Sequence, residues 1–146
     1  MKPTIKLLLI ALIITAIAAC GGPKDKYSKI VPNNGTLTIP LTDVNDGNTH
    51  YYTVNAGGKD IKFFLVKSND GVIRAAFDAC DVCFPEKKGY RQEGDFVVCN
   101  NCGQKFHSSR INVIKGGCNP SPLARKNVGD SVIISMKDVT TGARYF

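Results

Sequence analysis

Two Cys-x2-Cys pairs, Cys80–Asp81–Val82–Cys83 and Cys99–Asn100–Asn101–Cys102, stand 15 residues apart and constrain this chain more than any other feature. Two residues between thiols let both sulfurs point at one ion, while the intervening backbone N–H groups can bond the sulfurs. Two such pairs supply four soft ligands in a tetrahedral set, which suits zinc or an iron–sulfur cluster. The spacing lies within the range of zinc ribbons. The glycines around the pairs, Gly89, Gly94, Gly103, Gly116 and Gly117, predict loops wrapped closely round something.

The N-terminus bears on the redox compartment. Lys2 and Lys6 precede an apolar run from Leu7 to Ile17 that ends in small residues, the pattern of a secretory signal removed after export. The run is too short for a comfortable transmembrane helix, which needs about 20 apolar residues. Ile17–Ala18–Ala19–Cys20 resembles the lipobox of bacterial lipoproteins. That resemblance implies a signal peptide over 1–19, lipidation at Cys20, and a membrane-anchored protein of the bacterial cell envelope facing outside the cytoplasm. Two lipid signals hold a protein to a bilayer more firmly than one acyl chain. The competing reading is a plain signal-anchor helix with an incidental cysteine. Residues 20–34, rich in Gly, Pro, Lys and Asn, read as a lipidated N-terminus and tether. Export also raises the alternative of disulfides for the remaining cysteines, because even numbers of Cys cross-link in oxidising compartments.

Residues 35–146 read as one β-rich domain. With 43% hydrophobic and 21% charged residues, the 146-residue chain can bury a core and is not a disordered protein. Loss of two lysines with the leader takes the formal charge from +7 to +5. No aromatic residues interleave with a basic stripe, which argues against nucleic acid as a partner. Thr36–Leu41, Thr49–Val54, Asp60–Val66, Val72–Phe77, Asp95–Val98, Ile111–Ile114, Ser131–Met136 and Arg144–Phe146 have strand patterns. Asn55–Gly58 and Ser68–Gly71 carry turn signals between them. The expected fold is all-β, a small antiparallel sandwich or barrel with metal-binding loops, and Phe63, Phe64, Phe77 and Phe96 are its expected core.

The loop sequences resemble a known pattern. Cys99 to Phe106, followed by Lys115–Gly116–Gly117–Cys118–Asn119–Pro120–Ser121–Pro122–Leu123, is similar to the second half of a Rieske domain. Cys80–Cys83 would be the counterpart of the first Rieske loop. Cys83 and Cys102 stand where that pattern has histidines, and Cys118 replaces a proline. A closer resemblance covers nearly all of the mature chain. Phe77–Asp78–Ala79–Cys80, Cys83, Lys88–Gly89–Tyr90, Val98–Cys99, Cys102–Gly103 and Gly116–Gly117–Cys118–Asn119–Pro120 look like the membrane iron–sulfur family called FtrD-like. The resemblance implies an iron–sulfur protein, with a [2Fe–2S] cluster favoured by the Rieske pattern and zinc as the alternative. It also implies electron transfer connected with bacterial iron uptake or respiration, and a redox or iron-permease partner.

On that resemblance Cys80, Cys83, Cys99 and Cys102 bind the metal. All-thiolate ligation predicts a low potential, nearer about −400 mV than the −150 to +300 mV of histidine-ligated Rieske centres. Cys118 would sit beside the cluster, as a further ligand, a disulfide partner or a small buried hydrophobe. Lys87, Lys88, Arg91 and Lys105 either offset the cluster's charge or form ordinary surface. His107 and His50 are left outside the ligand set, and Asp78 is read as a loop cap. Two other functions compete: a zinc-stabilised module that binds a partner without redox activity, and a thiol–disulfide oxidoreductase. Neither pair opens a helix, where such thiols acquire a lowered pKa. The chain reads as an electron carrier more than an enzyme, with no Ser-His-Asp set, phosphate loop or HExxH helix.

Overall fold

The computed structural model describes residues 25–146. The segment read as a signal peptide (1–19), the lipidation expected at Cys20 and the first residues of the stretch read as a tether lie outside the described residues.

In chain order the strands are β1 (Ser28–Lys29), β2 (Thr36–Pro40), β3 (Thr49–Ala56), β4 (Lys59–Lys67), β5 (Ile73–Phe77), β6 (Tyr90–Glu93), β7 (Phe96–Cys99), β8 (Lys105–His107), β9 (Lys126–Val128) and β10 (Ser131–Ser135). A short helix, α1 (Met136–Thr140), follows β10. They form three sheets, ordered β1-β3-β4-β5, β2-β10-β9 and β6-β7-β8. Every pairing is antiparallel except that of β1 with β3. The all-β antiparallel expectation therefore holds, as open sheets in place of a closed barrel.

The β1-β3-β4-β5 sheet is the middle layer, because β4 alternates between two cores. Ile61, Phe63 and Leu65 join Leu37, Ile39, Val132 and Ile134 of the β2-β10-β9 sheet in the first core. Phe64 and Val66 point the other way, into a second core with Tyr90, Val97, Cys80 and Cys99. The period-two alternation of a strand is what lets one segment serve both layers. β5, buried at every position, closes the middle sheet and leads directly into Asp78 and Cys80.

The β3–β4 hairpin turns on Gly57 and Gly58, both at positive φ (61° and 83°), the conformation a two-residue turn of this kind requires. Two sequence-predicted strands are helical turns. Ile111–Ile114 follows a 3-10 helix, Ser108–Arg110, and the amides of Ile111, Val113 and Ile114 bond back to Ser108 and Arg110. Asn112 then anchors this turn by donating to the carbonyls of Ala75 and Leu123. Ala143–Tyr145 is likewise 3-10, because Gly142 packs against Phe77 so closely that a Cβ there would overlap its ring. Phe96, expected in the core, is 41% exposed and sits edge-on to His107. The second half of the stretch read as tether lies along the body: β1 pairs with Tyr52 and Thr53, and the Ile30 amide bonds to the Thr53 carbonyl.

Candidate metal centre

Three loops bring the described cysteines together, and all five are free thiols. β5 delivers Cys80, 1% exposed, and the Cys83 amide donates to its Sγ at 3.1 Å. Cys83 then caps a single 3-10 turn, Phe84–Glu86. β7 delivers Cys99, 2% exposed, opposite Tyr90 of β6. A tight turn after it, with the Gly103 amide bonded to the Cys99 carbonyl, carries the exposed Cys102. The first Cys-x2-Cys pair therefore has the N–H···S bond expected from its spacing.

The third loop brings Cys118. Its thiol lies 3.7 Å from Cys83 Sγ, too long for a disulfide bond of about 2.05 Å. Two thiolates on one tetrahedral ion, each about 2.3 Å from it, stand about 3.8 Å apart. The sulfurs fall into two overlapping triples, Cys80–Cys83–Cys118 and Cys83–Cys99–Cys102, each with all its sulfurs within 4.8 Å. No four of the described cysteines satisfy that distance together.

The donor set is entirely sulfur and graded in burial from Cys80 and Cys99 through Cys83 and Cys118 to Cys102. Burial pushes the Cys99 thiol up to about 11 and that of Cys118 up to about 12. The Gln104 amide holds Cys102 below its ordinary value. A thiol in a buried position becomes an anion most readily with a metal cation against it. On this geometry and chemistry the residues fit a thiolate-bound metal group.

The support of the centre rests on Asp78, whose side chain is fully buried. It receives Lys26 Nζ at 2.7 Å, the Tyr27 hydroxyl at 2.5 Å and the Tyr90 amide at 2.7 Å. The capping role read from sequence is thus present in the Tyr90 bond, joined by an ion pair to the half-buried Lys26. Gly89 is at φ 61°, and a Cβ on it would overlap the Asp78 carboxylate. Of the five loop glycines, Gly89 alone has a neighbour so close; the other four face open space. Tyr90 donates its hydroxyl to the Cys118 carbonyl at 2.7 Å and so ties the third loop to β6. Burial, then the neighbouring Cys80, raises the Tyr90 phenol well above its ordinary value. Burial and the Asp78 carboxylate do the same for Tyr27. Both phenols therefore remain donors at any ordinary pH.

Other sequence-predicted residues lie apart from the thiols' bonding. Arg91 and Lys105 both pair with Glu93 on the outer sheet. Lys87 and Lys88 are exposed, and Lys87 lines a cleft of about 180 Å³ with Tyr27, Cys80, Cys83 and Cys99. His107 caps the 3-10 turn through Ser109, and His50 contacts Asp46 at 2.7 Å. Sequence reasoning missed Lys26, Tyr27 and Tyr90 as supports. One signal was available: an acid directly after the strand pattern Val72–Phe77 must find a partner when buried.

The fold and the thiol set define an antiparallel β protein with a cysteine-built, metal-type centre on one side. The chain belongs to the family described as "Membrane iron-sulfur containing protein FtrD-like", whose model matches residues 44–146. Among solved structures it is similar to the quaternary ammonium Rieske monooxygenase CntA. An inhibitor complex and the apo form of that protein each match with a TM-score of 0.45 and 16% identity over 68% of this chain. The matched region is 30% and 32% of those chains, so the present chain spans about a third of their length. No curated protein matches by sequence. Among the described residues no helix is long and apolar enough to cross a membrane.

Proposed function

We propose that Cys80, Cys83, Cys99 and Cys102 hold a [2Fe–2S] cluster, with Cys118 beside it, in a lipid-anchored electron carrier outside the cytoplasm. The observation that carries this reading is the pair of overlapping sulfur triples that share Cys83. One tetrahedral zinc ion would draw four sulfurs to about 3.8 Å of each other, whereas a cluster of two irons accepts ligands in two groups. When bound, the cluster would take up and release single electrons. The chain's own residues would hold it: Cys80 and Cys99 from the buried side, Cys83 and Cys102 from the open side. The Cys83 amide would stabilise the anionic Cys80 sulfur, and the Gln104 amide that of Cys102. The lipobox at Ile17–Cys20 supports cleavage after residue 19, lipidation of Cys20 and a place in the bacterial cell envelope. Membership of a membrane iron–sulfur family supports a redox or iron-permease partner in iron uptake or respiration.

The full chain, purified anaerobically in detergent, tests this by assay of iron, sulfide and zinc with visible absorption and EPR before and after dithionite. Two irons and two sulfides per chain and a reduced-state signal lost in Cys99→Ser are expected. One zinc per chain and a colourless protein would replace the electron carrier with a zinc-stabilised binding module. Absence of metal, with few free thiols, would return the cysteines to disulfides. Incorporation of labelled palmitate, abolished in Cys20→Ser, tests the anchor.

A further inference from the structure

We propose that the cysteine-bearing face of the domain lies against the membrane that holds the N-terminus. The contacts of Lys26 and Tyr27 with Asp78 fix that orientation. The inference rests on the anchoring at Cys20 proposed above and adds which side of the molecule the anchor turns toward the bilayer.

The two faces of the middle sheet differ in what they carry. The β2-β10-β9 sheet covers one face through the first core, and the β6-β7-β8 sheet with the thiol loops covers the other through the second. The N-terminal arm enters on the thiol side. Tyr27 stands edge-on to Tyr51, a residue packed against the second core, and Lys26 Nζ lies 4.0 Å from the centre of the Tyr51 ring. Lys26 also bonds the Tyr90 carbonyl at 2.8 Å, and Tyr27 lines the same cleft as Cys80, Cys83 and Cys99. The chain therefore leaves the body beside the thiols.

From Lys26 back to Cys20 is six residues. Fully extended they span about 20 Å, and as a flexible coil about 12–15 Å. The sheet on the opposite face stands roughly 20 Å from the thiol-side sheet, since packed sheets are about 10 Å apart. An arm this short, leaving from the thiol side, turns that side toward the bilayer and the β2-β10-β9 sheet away from it. The clamp on Asp78 and the pairing of β1 with β3 together keep the arm short. Released from Asp78 and β3, the free tether would run to residue 34 and let the domain tumble. The consequence for electron transfer is positional: the open-side thiols meet partners embedded in the same membrane.

The test uses the full lipidated chain in phospholipid vesicles and a membrane-impermeant acetylating reagent, with lysines read by peptide mass spectrometry. Lys87 and Lys88 report on the thiol side. Lys126 reports on the opposite sheet, beside the end of β5 remote from Cys80, where Arg125 bonds the Ile73 carbonyl. A second variant inserts a Gly-Ser segment of roughly 20 residues between Gly22 and Pro23, adding a coil of about 25 Å. With the natural tether, modification of Lys87 and Lys88 relative to Lys126 is expected to fall several-fold below that of the lengthened variant. Equal ratios in the two proteins, or protection of Lys126 instead, would overturn the orientation while leaving the anchor intact. Failure of the protein to float with the vesicles would overturn the anchor, and the orientation with it.

Discussion

The two cores on either side of the middle sheet are built on different physics. The first is a continuous apolar layer, with Phe63 stacked on Tyr52 at 5.4 Å and aliphatic side chains meeting from two sheets. Its stability follows from area removed from water, about 1.5–3 kcal/mol for each large side chain. The second core is smaller and mixes apolar residues with thiols, a phenol and, at its edge, a fully buried carboxylate. Such a core is stable only when every polar group in it is satisfied. The division of labour is informative: one face of the sheet secures the fold and frees the other to carry chemistry.

That division can be broken or sharpened by mutation. Phe63→Ala should cost about 3–5 kcal/mol in chemical denaturation while leaving metal per folded chain unchanged. A parallel loss of metal from the folded fraction would show the cores to be one unit. Gly89→Ala places a side chain at φ 61° against the Asp78 carboxylate and should cost roughly 3 kcal/mol. Hydrogen exchange should locate that damage in β6 and β7 before β2 and β10. Tyr90→Phe removes the bond to the Cys118 carbonyl and should cost about 1 kcal/mol, read as faster exchange at Cys118 and Asn119. Unchanged exchange there would mean that the hydroxyl does not hold the loop. The smallest effect is expected at Asp70, remote from the thiols, whose carboxyl Arg74 holds well below the usual carboxylate range. A lowered folded pKa contributes stability above the unfolded value of about 3.9 and loses it as pH falls through the folded value. Stability of the Asp70→Asn variant should therefore fall less steeply than that of the natural chain below about pH 4.

Strands with long alternating or apolar patterns were legible in the sequence. β2, β3, β4, β5, β7 and β10 lie close to the ranges their patterns predict, because either alternation, as in β2 and β10, or a run of residues buried throughout, as in β5, marks them along the chain. β1, β6, β8 and β9 are short and largely polar, and their strand character comes from the partners they pair with. Ile111–Ile114 and Arg144–Phe146 have β-favouring composition but lie where Asn112 and Gly142 dock against neighbours, and those contacts override propensity.

At the candidate centre the same boundary appears. The Cys-x2-Cys spacing by itself determines that Cys80 and Cys83, and Cys99 and Cys102, meet within each pair, because two intervening residues leave the backbone little choice. Tertiary structure alone brings the two pairs together, adds Cys118 at 3.7 Å from Cys83, and grades the thiols from buried to exposed. It also turns part of an apparent tether into a clamp, through bonds from Lys26 and Tyr27 to an acid about 50 residues away. Short-range spacing is a covalent constraint and can be read along the chain, whereas partners distant in sequence are chosen by which polar groups the packed core leaves to be satisfied.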